Sequence, residues 1–309
     1  MMTVTKPGLQ STLQGPPRRG YRHLGIPYAG PADPLSHALA NRLVGNALSA
    51  SALEITYGGF AGEFREDCSL AITGAYGQIL VSGMAMPAHT TLHLKAGDQI
   101  EITQSEHGMR AYLAIHSGFE AETFFGSGST YLPAEFGGLD GRALKAGDEL
   151  SANQSAVFAS TLETPPDYRP AFSNAVGLRA CASAESNLLI GQDRALLFEE
   201  TFIAGRQATR MGIAMTGHKL SPNSDGKMKS APVFPGTIQC PPSGIPVILL
   251  CDAQTTGGYP RIASIARCDR HLLGQIRPGD HIRLLERSPE AALQDSAAKQ
   301  KQLNDWLLT

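Results

Sequence analysis

The stretch Leu92-His-Leu-Lys-Ala-Gly97-Asp98-Gln-Ile-Glu-Ile102 recurs as Ala143-Leu-Lys-Ala-Gly147-Asp148-Glu-Leu150 and again as Gln275-Ile-Arg-Pro-Gly279-Asp280-His-Ile-Arg-Leu284. Apolar and polar residues alternate around a Gly-Asp pair, which reads as strand, tight turn, strand. The glycine takes positive φ and the aspartate bonds the turn amides, so Asp98, Asp148 and Asp280 need no chemical role. The repeat suggests an old duplication of one β unit.

Further short strands are expected at 68–73, 78–82, 91–94, 99–103 and 111–116. The 33 glycines and 20 prolines favour such strands over long helices. With 42% hydrophobic and 17% charged residues, a chain of 309 residues folds around a sizeable core without staples. Three helices are expected. At 33–45 Asp33 caps, Pro34 suits the first turn and Leu35, Leu39 and Leu43 share a face. A short apolar helix is read at 195–202, and a C-terminal one starts at Ser288-Pro289, with Leu293, Ala297, Leu303, Trp306 and Leu307 as its apolar stripe. Pro165, Pro166 and Pro170 mark residues 159–174 as a crossing segment, dividing the chain into halves 1–165 and 166–309.

Lys and Arg number 26 against 28 Asp and Glu, a formal net charge of -2, which argues against nucleic acid and anionic membrane as partners. The five cysteines lack any C-x-x-C spacing and are expected reduced and buried. Residues 1–19 contain Pro7, Pro16 and Pro17 and no apolar signal region, which points to the cytoplasm.

Chemistry concentrates in Val247-Ile-Leu-Leu-Cys251-Asp252-Ala-Gln254-Thr255-Thr256-Gly257-Gly258-Tyr259-Pro-Arg261. A buried strand ends abruptly in polar residues and two glycines. There the Gly257 and Gly258 amides can approach an anionic or carbonyl oxygen, with Gln254, Thr255, Thr256 and Tyr259 as orientable groups. A plain turn is the equal alternative. Arg210 can clamp a carboxylate or phosphate, although a solvated surface arginine is the default. The loop Gly25-Ile-Pro-Tyr28-Ala-Gly30-Pro-Ala-Asp33 feeds the first helix, whose amides Asp33 claims as its cap.

No phosphate-binding P-loop is present, and Gly126-Ser-Gly-Ser129 lacks the rest of a dinucleotide fingerprint. His89 and His93 stand four apart without a third ligand, so no metal is expected. Ser224-x-x-Lys227 has the spacing of a serine-lysine pair but none of its companion motifs, and Lys227-Met-Lys229 is not a biotinylation site.

The run 25–33, with Ala40-Asn-Arg-Leu-Val-Gly-Asn46, Ala52-Leu-Glu-Ile-Thr56 and Ile72-Thr-Gly-Ala75, resembles the allophanate hydrolase subunit 2 or biotin-dependent carboxyltransferase family. Arg210-Met-Gly212, Gly236-Thr-Ile-Gln-Cys-Pro-Pro242, Gln254-Thr-Thr-Gly-Gly-Tyr-Pro260 and Arg277-Pro-Gly-Asp280 extend the resemblance through the C-terminal half. It implies a mainly β fold of two related cyclophilin-like β-barrel halves with a few short helices. It implies one component of an ATP-dependent 5-oxoprolinase-type amide hydrolase, converting 5-oxoproline to glutamate. ATP would be bound with or by a partner: a B-subunit-like protein of the allophanate hydrolase subunit 1 type, with an A-subunit beside it. The alternatives are a carboxyltransferase component using carboxybiotin on a separate carrier and a urea-like or amide substrate, or a non-catalytic binding or regulatory paralogue.

The catalytic set expected on this basis is Gln254, Thr255, Thr256, Arg210 and Asp252. The substrate-binding set is Gly257, Gly258, Tyr259, Met211, Gly212, Tyr28 and Gly30. Several polar positions of the family pattern are absent: an aspartate at Gly15, an arginine at Gly128, an aspartate at Thr209 and a glutamate at Ala231. Losing such groups removes positioned partners for a transferred charge or proton, which suggests a divergent paralogue.

Overall fold

Short apolar runs pair into two β bodies in the computed structural model, which describes residues 1–154, 157–223 and 228–308. Ser224 and Lys227 lie outside the described residues. One unit holds Met1–Arg18, Ala29–Phe172 and the chain from Trp306; the other holds Arg19–Tyr28 and Ser173–Asp305. They are therefore not two contiguous halves, although the chain passes from the first to the second between Phe172 and Ser173, inside the expected crossing segment 159–174. Side-chain bonds explain both exchanges. Arg22 donates to the carbonyl of Thr255 (3.2 Å), while Arg42 Nε donates to the Trp306 carbonyl (3.3 Å) with its guanidinium over that indole.

The first unit is a two-sheet sandwich. Its six-stranded sheet runs in the order Glu149–Leu150, Met2–Pro7, Phe60–Phe64, Gln99–Ile102, Ile79–Val81, Met84–Met86. Its five-stranded sheet runs Gln10–Gln14, Ala52–Thr56, Arg110–Ile115, Cys68–Gly74, Thr91–Leu94. Val4, Phe60, Phe64, Ile100 and Ile102 from one sheet meet Leu53, Ile55, Leu70, Ile72 and Leu113 from the other in a single core. Helix α1, Pro34–Leu43, covers the opposite face of the five-stranded sheet through Ala40, Leu43 and Tyr112, so its central strands are buried on both faces.

The second unit is a closed seven-stranded barrel. The parallel pairing of Ala175–Ala182 with His281–Glu286 closes it around Leu178, Phe202, Ile213, Ile248 and Leu284. Helix α2 spans Asp193–Glu199, shorter than the expected 195–202, because Phe202 belongs to the barrel strand Thr201–Ala204. Helix α3 spans Pro289–Leu307, and only the first half of the expected stripe misses the buried face. Leu293 and Ala297 are exposed, the former at 71%, with Ala292 buried in their place, whereas Leu303 and Trp306 are half-buried and Leu307 is buried. No helix among the described residues is long and apolar enough to cross a membrane.

The Gly-Asp repeats are turns rather than hairpins. Thr91–Leu94 and Gln99–Ile102 lie in different sheets, so the first turn carries the chain from one sheet to the other. All three turns share one geometry, with glycine φ of +91, +91 and +92° and the aspartate Oδ2 accepting from the amide three residues earlier at 2.7–2.8 Å. Each then clasps a residue on a neighbouring strand. The glycine N–H donates to the carbonyl of Phe64, Val4 or Ala204, and the same residue's N–H donates back to the aspartate carbonyl. A Cβ at these glycines would meet nothing, so positive φ alone demands them.

The Lys95 amide and then the Ser82 hydroxyl hold the Asp98 carboxyl below its ordinary value. Arg142, against the smaller opposing effect of burial, does the same for Asp148, with the Lys145 amide. A depressed native value stabilises above the unfolded carboxyl's range, and the contribution is lost as pH falls through the native value. Carboxyl 13C titration is expected to place both midpoints below an ordinary aspartate's; midpoints at or above it contradict the clasp.

All five cysteines are free, but Cys181 and Cys251 are only half-buried, contrary to expectation. Burial, with Asp67, Asp98 and Glu66 nearby, pushes the Cys68 thiol up to about 12, and burial with Asp193 pushes Cys240 up to about 11. Thiolate is the reactive form. Brief iodoacetamide treatment of the folded chain is thus expected to label Cys251 well before Cys68 and Cys240 by peptide mass spectrometry; equal labelling would contradict the burial.

Candidate functional site

The barrel strand Val247–Leu249 delivers the polar bend as the apolar run predicts. Beneath it lies Asp252, 1% exposed. Its Oδ2 accepts from Arg210 Nε at 2.8 Å, its Oδ1 accepts from Arg210 Nη2 at 2.9 Å, and its main-chain N donates to the Arg210 carbonyl at 3.0 Å. Arg210 is 5% exposed, so the expected solvated arginine is instead a buried fork. The carboxylate it clamps belongs to its own chain. This pair anchors the bend, and neither member of it faces solvent.

The bend itself is braced on two sides. Thr256–Gly257 pairs with Ala231–Pro232, and the Val233 amide donates to the Thr255 carbonyl at 3.1 Å. Gln239, 2% exposed, donates from Nε2 to the Tyr259 carbonyl (3.2 Å) and accepts on Oε1 from Gln254 Nε2 (3.2 Å). A Cβ on Gly257 would stand 2.6 Å from Gln239 Nε2. A side chain at Gly257 would push the Gln239 amide away from its bonds to Tyr259 and Gln254. The space over the diglycine is filled at Gly257 by Gln239. Gln254 and Thr256 are exposed, and Tyr259 is 42% exposed. They form a surface array of amide, hydroxyl and phenol groups on a fixed backbone.

Arg22 closes the other side. Its guanidinium lies 4.8 Å from the Tyr28 ring and 4.9 Å from the Phe234 ring, and it donates to the carbonyls of Val233 and Thr255. Burial acts against its charge, partly offset by Tyr28. Tyr28 therefore serves as a platform for Arg22. Beside the bend is a cavity of about 220 Å3 lined by Ser183, Glu185, Pro232, Phe234, Thr237 and Arg261. Its polar wall is an ion pair, in which Glu185 Oε2 accepts from the Arg261 amide (2.6 Å) and Nε (3.0 Å). These bonds hold the Glu185 carboxyl below its usual range against a smaller effect of burial.

The structure thus gathers Gln254, Thr255, Thr256, Gly257, Gly258 and Tyr259 on one bend, just after Asp252 with its Arg210 partner, and joined through Arg22 to Tyr28. Met211 adjoins them, its carbonyl accepting from the Leu250 amide at 3.0 Å. Gly212 lies in the strand Gly212–Thr216, where a Cβ would stand 2.9 Å from the Ile248 carbonyl oxygen. Gly30 belongs to the first unit and packs on Pro17. Sequence reasoning missed Arg22, Gln239, Glu185 and Arg261. Of these, Gln239, inside the quoted run 236–242, and Arg261, at the end of the quoted bend, carried a local signal. His89 and His93 do not form a pair: His93 bonds Ser69 (2.9 Å) and Thr161 (3.1 Å), while His89 lines a separate cavity.

This architecture is that of a carboxyltransferase domain. Residues 24–286 match the family model "Carboxyltransferase domain, subdomain A and B", and the chain belongs to that family. The 5-oxoprolinase C-subunit of Escherichia coli (strain K12) is 35% identical over 97% of this chain and 96% of its own length. The Haemophilus influenzae protein of the same name is 31% identical over 97% and 94%. The crystal structure of Kluyveromyces lactis urea carboxylase superposes with a TM-score of 0.91 at 27% identity over 99% of this chain, which spans 29% of that larger chain.

Proposed function

We propose that this chain is one component of an ATP-dependent 5-oxoprolinase-type amide hydrolase that opens 5-oxoproline to glutamate. The observation that carries the reading is the identity to the 5-oxoprolinase C-subunit, which runs over nearly the whole of both chains. The partners are a B-subunit-like protein and an A-subunit. Gln254, Thr256 and Tyr259 orient the small amide on the bend, and the Arg210 and Asp252 pair with Arg22 keeps that bend in place.

ATP belongs to the assembly rather than to this bend. The donors at the bend are neutral amide, hydroxyl and phenol groups, and Arg22 is already committed to main-chain carbonyls. Such a set does not suit a triphosphate, which calls for several cations or a glycine-rich cradle. The reading places the chain in the cytoplasm, where ATP is supplied.

A second reading, carboxyl transfer from carboxybiotin on a separate carrier to a urea-like or amide acceptor, is favoured by the family model and by the urea carboxylase superposition. One assay separates the two. Purified with its two partner proteins, the chain is expected to support phosphate release in step with glutamate. Acceptor-stimulated decarboxylation of carboxybiotin, without coupled phosphate and glutamate, would replace the first reading with the second.

A further inference from the structure

The first unit holds a larger cavity of about 620 Å3 that the bend does not share. Its walls are the turn at 74–78, the loop at 103–107, His89 and the segment 169–172. The turn and the loop are locked together. The Gln78 amide donates to Thr103 Oγ1 at 2.6 Å, the Gly77 amide donates to the Thr103 carbonyl at 3.2 Å, and the Thr103 amide donates to the Gln78 carbonyl at 2.9 Å. A Cβ on Gly77 would stand 2.3 Å from the Gln104 carbonyl oxygen, so the walls meet without slack. A recess built this way is formed before any ligand arrives.

His89 is 3% exposed, and its Nδ1 is buried without a hydrogen-bond partner. Its backbone is pinned at φ +57° by two bonds: its N–H donates to the Ile72 carbonyl (2.9 Å), and its carbonyl accepts from the Thr164 amide (2.8 Å). An imidazole held in a left-handed conformation with an orphaned nitrogen costs stability, and such residues cluster at ligand sites. Burial first, then Arg169, pulls its proton affinity down to about 4, so the ring is neutral at physiological pH and donates or accepts without carrying charge. Arg169, on the same wall, donates through Nε to the Thr164 carbonyl (2.7 Å) and through Nη2 to Glu163 (2.6 Å). Among the described residues no hydrogen bond engages its Nη1. Tyr76 and Phe172 add flat apolar surface.

We infer that this cavity is a small-molecule site for an acid carrying an amide or lactam, with the carboxylate taken by Arg169 and the amide by His89. The site stands on its own geometry, and only the amide half of the ligand rests on the 5-oxoprolinase reading. No polar residue of the bend lines it.

Calorimetric titration of the full chain with 5-oxoproline, N-acetylglycine and acetamide tests the inference. At least one acid is expected to bind more tightly than acetamide, with R169Q weakening it by about tenfold to a hundredfold, as befits a lost charged hydrogen bond. H89Q is expected to weaken binding of the same acid, a thermal melt confirms that both variants are folded, and R169Q carries the test alone if H89Q is not. In the wild-type chain the bound acid is expected to shift the imidazole 15N signals of His89. Binding of N-acetylglycine through Arg169 without binding of 5-oxoproline supports the site while counting against the substrate reading. Failure of both acids to bind, or binding unchanged by R169Q, overturns the site whatever turnover the assembled enzyme gives.

Discussion

Replacing Glu54 with alanine is expected to lower the stability of the chain by about 3–5 kcal/mol, the usual cost of removing one member of a buried ion pair. Glu54 is 1% exposed and accepts from the Tyr112 hydroxyl (2.7 Å) and the Ala32 amide (2.8 Å). Arg110 Nε stands 3.3 Å from its other oxygen and is itself 2% exposed. The Tyr112 hydroxyl in turn accepts from the Asp33 amide (2.8 Å), and Asp33 caps α1 through the Leu35 and Ser36 amides, both at 3.0 Å. Burial, then Glu54 and Asp33, hold the Tyr112 phenol well above its ordinary value, so it stays a donor. One carboxylate thus ties two strands to the start of a helix. Urea unfolding reads the effect; a midpoint shift equivalent to less than about 1 kcal/mol, the range of an exposed pair, would contradict this arrangement.

Asp252→Ala is expected to cost a similar amount, about 3–5 kcal/mol, because it removes the carboxylate to which both Nε and Nη2 of Arg210 donate. The double variant R210M/D252L is expected to regain much of that stability, since an apolar pair of similar volume avoids desolvating two charges. The same variants separate anchoring from catalysis. An anchoring Asp252 makes Asp252→Asn less stable in urea unfolding, with activity of the assembled enzyme falling alongside. A fully stable but inactive Asp252→Asn chain would return Asp252 to the reacting groups.

Local rules made much of this molecule legible in advance. Asp33 and Pro34 mark the start of α1, and the run from Val247 marks an interior strand, because capping and burial leave their trace within a few residues. The Gly-Asp turns were legible as turns for the same reason. Their pairing was not, since Phe64, Val4 and Ala204 lie far away in sequence and nothing near Gly97, Gly147 or Gly279 encodes which strand is clasped. Barrel closure by a parallel pair is equally non-local. The first half of the α3 stripe slipped because Leu293 and Ala297 have the right period but face solvent, and periodicity does not say which phase meets the body.

At the bend, composition correctly marked a concentration of polar groups but not their commitments. Gln239 and Arg22 reach it from distant segments and use the amide and carbonyl groups that looked available. Two departures from the family pattern also prove to be one place. The Gly15 amide donates to Ser129 Oγ at 2.9 Å, and a Cβ at either Gly15 or Gly128 would stand 3.0 Å from Ser51 Oγ. The aspartate and arginine of that pattern are therefore missing from a single spot in the first unit.

The most direct test of the functional account is a reconstituted assay from which this chain alone is omitted and then restored. Phosphate and glutamate are expected to appear from 5-oxoproline and ATP in equal amounts only when the chain is present with its two partner proteins. Equal turnover without it, or phosphate released without glutamate when it is present, would contradict the account.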